Sequence, residues 1–249
     1  MKPSWRIIVL VIFFTVGSSY SQYPITSFRL HGSVSLPTGD FGKKIGDDPK
    51  LTRRSGFDFS GEIGMAGTGF GLGAEFVSPT GIAGLGWILN ATVIINSVET
   101  SEITNFFNQE FGDTSNVSFE FDNWVNIPVM TGLRYQYPVL NELHLFASLQ
   151  GGINFTDAPD FSATVDGIIA EETSYERNID FGFGASIGVI YQNQYTIEVK
   201  YLDLDTPTYE GERKLSELVF PEIARRITSI TGENRSISMV IITLGINIL

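Results

Sequence analysis

The chain has 249 residues, no cysteine and a formal net charge of −12. That composition excludes disulfides, thiolate metal sites and a cysteine nucleophile, and the acidic balance argues against a nucleic-acid partner. Glycine is abundant, at 26 residues, and the mean hydropathy is slightly positive despite the charge.

The first element is MKPSWRIIVLVIFFTVGSSYSQ. Lys2 and Arg6 precede an apolar run, Ile7 to Val16, and Ser19 and Ser21 occupy the −3 and −1 places of a small-x-small cleavage site. This is the pattern of a secretory signal peptide over residues 1–21, too short to span a bilayer. The expected mature chain, 22–249, contains no run of 18 apolar residues, so no transmembrane helix is expected.

From there the apolar residues recur with a period of two, the signature of strands with one apolar face. The predicted faces in chain order are Phe28–Leu36, Phe70–Phe76, Ala83–Ile95, Val125–Tyr137, Leu143–Phe155, Ile179–Tyr191, Tyr195–Tyr201 and Val240–Ile248. Between Phe57 and Met65 the odd positions are apolar, and from Phe70 the even ones. The slip within "AGTG" predicts a glycine-bearing β-bulge, with the upper part of that hairpin standing above a membrane. The connections "SPTG", "PVLNE" and "QNQ" are short, whereas those at 38–56, 99–123, 157–178 and 206–235 are long. Short turns on one side and long loops on the other predict a closed eight-stranded antiparallel transmembrane β-barrel with short periplasmic turns and long extracellular loops. Trp87, Tyr135, Tyr137, Tyr191, Tyr195 and Tyr201 fall on the apolar faces and are expected to form an aromatic girdle.

The stretch "GTGFGLGAEF", Gly67 to Phe76, superficially suggests a phosphate-cradling loop. Such a loop must open a helix, but the strand period continues straight through it. The glycines therefore fill one face of a strand and make room for long side chains in a narrow barrel.

The opposite faces carry Arg29, His31, Glu75, Arg134, His144, Asp180, Glu198 and Lys200. Without the histidines these are three acids and three bases. Buried charges must be paired, so Arg29, Glu75, Arg134, Asp180, Glu198 and Lys200 are expected to form a lumen charge cluster that holds the barrel shut. Arg134 is expected to pair with Glu75 or Glu198. A polar route for ions or small solutes is the alternative reading. A catalytic site is not expected: the two histidines lie on distant strands, and neither G-x-S-x-G nor H-E-x-x-H occurs. No cofactor or metal motif is found. The acidic loops read as solvated, with bridging through divalent cations to an anionic surface as the other possibility. In the last loop, "KLSELVFPEIARRITSI" has helical spacing and predicts a short amphipathic helix.

The segments "GSVSLPTGDFG", "GFGLGAEF", "VNIPVMTGLRYQYP", "LHLFASLQGGINF" and the C-terminal strand resemble the small outer-membrane β-barrel family of Gram-negative bacteria, the outer membrane protein beta-barrel domain proteins. The resemblance implies an outer-membrane protein that is not an enzyme and is a monomer. Its expected partners are outer-membrane lipid and lipopolysaccharide. Larger relatives anchor the envelope through a peptidoglycan-binding domain after the barrel, and that role is not expected here.

Overall fold

The computed structural model describes residues 25–43, 64–100, 117–216, 228–234 and 236–248. The expected signal peptide and the Phe57–Ile63 part of the slipped strand lie outside them.

Among the described residues, alternating side chains give thirteen strands. Eight of them close a barrel: β1 (Ser27–Thr38), β2 (Ala66–Pro79), β3 (Leu85–Val98), β5 (Trp124–Leu140), β6 (Leu143–Asp157), β9 (Asn178–Tyr191), β10 (Tyr195–Asp203) and β13 (Ser238–Asn247). Their order is β1-β13-β10-β9-β6-β5-β3-β2, and every neighbouring pair is antiparallel. Closure is made by β1 on β13, from Arg29 opposite Asn247 to Thr38 opposite Ser238. A closed sheet leaves no edge, so every wall strand is paired on both sides.

Short turns gather at one end. The turn after Tyr191 places Gln192 and Asn193 at φ 53° and 55°, and the Gln194 N–H donates to the Tyr191 carbonyl at 3.0 Å. Two successive left-handed residues fit the twist of a hairpin. In β2 the register against β3 shifts between Ala66 and Gly69, where the phase slip placed a bulge.

The outward positions of the wall are apolar. Leu72 is 74% exposed and Leu149 71%, and Phe183, Ile187 and Leu244 also project outward. Among the described residues, the outward positions of the eight strands carry no Asp, Glu, Lys, Arg or His side chain except Asp157 and Asp203, both at the loop end. Trp87, Tyr137, Tyr191, Tyr195 and Tyr201 are on this outer surface, most of them near the turn end.

The long loops depart from the sequence reading. Parts of three of them form a second, five-stranded sheet at the loop end: β4 (Val117–Phe121), β7 (Phe161–Val165), β8 (Ile168–Tyr175), β11 (Thr208–Leu215) and β12 (Thr228–Asn234), in the order β12-β11-β8-β7-β4. The acidic loops are thus not simply solvated coil. Backbone pairing satisfies N–H and C=O groups that would otherwise need water. Lys214 and Leu215, the start of the segment read as a helix, lie in β11, and Thr228–Ile230 lie in β12; residues 217–227 are outside the described part.

Candidate functional site: a sealed lumen

Some strands point long side chains inward and others, such as β2 with Gly67, Gly69, Gly71 and Gly73, point glycines inward, and the glycines set the space. A Cβ on Gly73 would lie 2.5 Å from His31 Nε2, and one on Gly245 would lie 2.7 Å from Arg29 Cδ. These wall positions must be glycine for the long side chains to lie across a narrow interior.

Toward the turn end those side chains form an ionic chain. Arg29 Nη2 donates to Glu198 Oε2 at 2.5 Å and lies 3.0 Å from Glu75 Oε2. Arg134 Nη2 donates to the other oxygen of Glu75, Oε1, at 2.5 Å. Lys200 Nζ stands 3.6 Å from Glu198 Oε1. The run is therefore Lys200–Glu198–Arg29–Glu75–Arg134, and all five residues are buried. Glu75 is the hinge of the chain, because each of its oxygens faces a different guanidinium. Arg134 also lies over the Phe146 ring, 4.1 Å from its centre, where the ring face attracts the cation. Around this chain are neutral polar contacts. His31 Nε2 lies 3.2 Å from Thr92 Oγ1, whose hydroxyl donates to Asn90 Oδ1 at 3.1 Å. Ser148 and Ser186 hydroxyls are 2.6 Å apart.

Asp180 is a correction. Parity puts it on the inward face, but it sits near the loop end of β9 and is only half-buried, and its carboxylate accepts the Phe181 N–H at 2.8 Å. It is not part of the ionic chain. His144 is fully buried on β6, away from His31 on β1, which takes its contact from Thr92 on β3.

The loop-end half of the lumen is filled differently. The short 3-10 turn Gly39–Gly42 after β1 places Phe41 inside, against Trp124 with ring centres 5.3 Å apart. Trp124 donates its indole N–H to the Gly64 carbonyl at 2.8 Å and meets Tyr209 edge-on at 6.0 Å. Met130, Leu202, Leu204, Ile237, Met239 and Ile241 complete this apolar plug. Sequence patterning does not single out these residues: Phe41, Leu204, Tyr209 and Ile237 lie outside the period-two faces.

The second sheet is coupled to the plug through Tyr209 of β11 and Tyr175 of β8, whose rings lie 6.2 Å apart. Its buried face carries Phe119, Phe161 and Ala163. Arg213 and Glu171 form a fork on the same face, at 2.6 and 2.9 Å, and Thr173 donates to Glu171 at 3.3 Å. The other face is acidic, with Glu120, Glu172 and Glu212 beside Lys214. Among the described residues no three His, Asp or Glu side chains converge as they would on a metal ion.

No protein-family model and no curated protein matches the chain. Among solved structures it is similar to Neisserial surface protein A, with 8% identity and a TM-score of 0.41 over 89% of this chain and 95% of that one. It is also similar to Ail, the attachment invasion locus protein of Yersinia pestis, solved with the heparin analogue sucrose octasulfate, at 10% identity, TM-score 0.38, 89% of this chain and 97% of that one. The outer membrane protein OprG of Pseudomonas aeruginosa gives 11% identity and a TM-score of 0.46 over 92% of this chain and 99% of that one. The likeness is one of shape alone.

Proposed function

We propose that this protein is an integral outer-membrane barrel whose lumen is closed and whose task is structural or interactive: it holds a folded sheet of loops at the cell surface. The observation that carries this reading is the pairing of an apolar, charge-free outer belt with a filled interior. A belt without charged side chains is suited to hydrocarbon, where backbone groups must all be paired internally, as a closed barrel pairs them. The short turns then face the periplasm and the second sheet faces outward. The signal-like residues 1–21 supply the export route. Outer-membrane lipid contacts the belt, and lipopolysaccharide is the anionic surface nearest the acidic sheet. We read the role as non-enzymatic: among the described residues His31 on β1 meets the neutral Thr92 hydroxyl, and His144 sits on a different strand, β6.

The alternative, a narrow channel, requires a continuous water path. Two layers stand across that path, the ionic chain and the plug around Trp124. Single-channel recording in planar bilayers tests the proposal. Wild-type protein is expected to give no discrete conductance. Steps with defined ion selectivity in the wild type would overturn the closed-lumen reading in favour of the channel. Protease accessibility in intact cells tests the orientation: cleavage within the second sheet from outside is expected, and cleavage only after the envelope is opened would reverse it.

A further inference from the structure

The ionic chain holds three cations, Arg29, Arg134 and Lys200, against two carboxylates, Glu75 and Glu198. All five are buried. Asp180, which would have balanced the set, stands apart. A protonated His31 would add to the excess, so either state of that ring leaves the described interior positive. An uncompensated charge in a low-dielectric interior is strongly unfavourable.

The excess lies at one end of the chain. Arg29 and Arg134 share Glu75, and Arg29 also takes Glu198 at 2.5 Å. Lys200 is left with Glu198 at 3.6 Å, beyond a hydrogen bond. Beside Lys200 the interior contains a small cavity of about 10 Å³, bordered by His31, Ser33, Asn90, Thr92 and Thr243. That is room for one water-sized guest. Three groups on its border, His31 Nδ1, Ser33 Oγ and Asn90 Nδ2, are buried and have no hydrogen-bond partner within the protein. The ammonium of Lys200, a hydroxyl and an amide N–H₂ are all donors. No carboxylate borders the cavity.

We infer that this cavity is a binding site for a single small monovalent anion of the chloride class. The ion neutralises the interior and accepts hydrogen bonds from Lys200, Ser33 and Asn90. A water molecule fits the same volume but leaves the charge uncompensated, and a polyatomic anion such as sulfate is too large. The bound ion is a structural counter-charge, inside the barrel and separate from the surface sheet.

Bromide is the probe, because it has the charge of chloride and scatters anomalously. Crystals of the wild-type protein grown in sodium bromide are expected to show a bromine signal in the cavity at Lys200 Nζ. In parallel, the urea midpoint of the wild-type barrel in lipid vesicles is expected to rise with sodium chloride but not with sodium gluconate at matched ionic strength, as ligand linkage requires. Lys200→Met removes the excess charge and is expected to abolish the difference between the salts; Ser33→Ala, a milder change, is expected to weaken bromide binding several-fold while the barrel still folds. No bromine signal in wild-type crystals, together with equal midpoints in the two salts, would overturn the site and leave the cavity to water.

Discussion

The two halves of the lumen are closed by opposite chemistry within one continuous wall. The turn-end half is filled by five charged side chains whose positions are fixed by specific pairing. The loop-end half is filled mainly by aromatic and aliphatic side chains that are fixed by shape, with a buried amide and hydroxyl network of Asn126, Asn154 and Thr156 at its wall. The difference lies in how each fails. A charge layer is intolerant of subtraction, because losing one member strands the others in a medium that cannot solvate them. An apolar plug is intolerant of lost volume, and its penalty grows with the hole left behind.

The sharpest break in that comparison is Glu75→Ala. It strands Arg134 and leaves Arg29 with Glu198 alone, and the expected loss is about 3–5 kcal/mol, read as a lowered urea midpoint for the barrel in vesicles. A loss no greater than that of an exposed substitution would remove the distinction between the halves. Leu204→Ala comes next. The residue is fully buried in the plug, and the expected cost is about 2–5 kcal/mol, set by how far its neighbours can relax into the space. A double-mutant cycle then sharpens the account of the charged half. Arg134→Ala with Glu75→Ala is expected to show a coupling of about 0.5–3 kcal/mol, because the double variant removes the charge each single variant strands. The cycle of Arg134→Ala with Glu198→Ala should couple less, since those two groups meet only through Arg29 and Glu75. Equal coupling in both cycles would mean that the chain acts as an undivided charge cloud. The smallest effect is expected outside the barrel: Arg213→Ala breaks a partly exposed fork in the second sheet and is expected to cost about 0–1 kcal/mol, with the barrel midpoint unchanged.

The wall could be read from period-two alternation because a strand between lipid and lumen has two chemically distinct faces. The bulge near Gly67 could be read too, since an odd insertion must invert the apolar parity. Parity also put Arg29, Glu75, Arg134, Glu198 and Lys200 on inward faces. It does not encode height along the barrel, and this is why Asp180 was grouped with them although it sits higher on its strand. Nor does parity say which half will be charged and which apolar, because that depends on how eight separate registers align. The second sheet was missed for another reason. Its strands are short, and β4 pairs with a strand about forty positions further along the chain, so no local pattern announces it. One local signal was present. Asp166 and Gly167 take φ values of 51° and 80° between β7 and β8, and an Asp-Gly pair flanked by strand residues is a strong hairpin marker.

The five-stranded sheet draws β4 from one loop, β7 and β8 from the next and β11 and β12 from the last. Neighbouring residues on its acidic face are therefore far apart in the chain: Glu120, Ser162, Glu172 and Lys214 lie on four successive strands. An antibody or receptor that recognises this face reads a discontinuous epitope. A synthetic peptide copying any one loop reproduces no more than two of its five strands. Immunisation with such peptides would raise antibodies against the chain's unfolded segments, whereas the intact barrel presents the assembled surface.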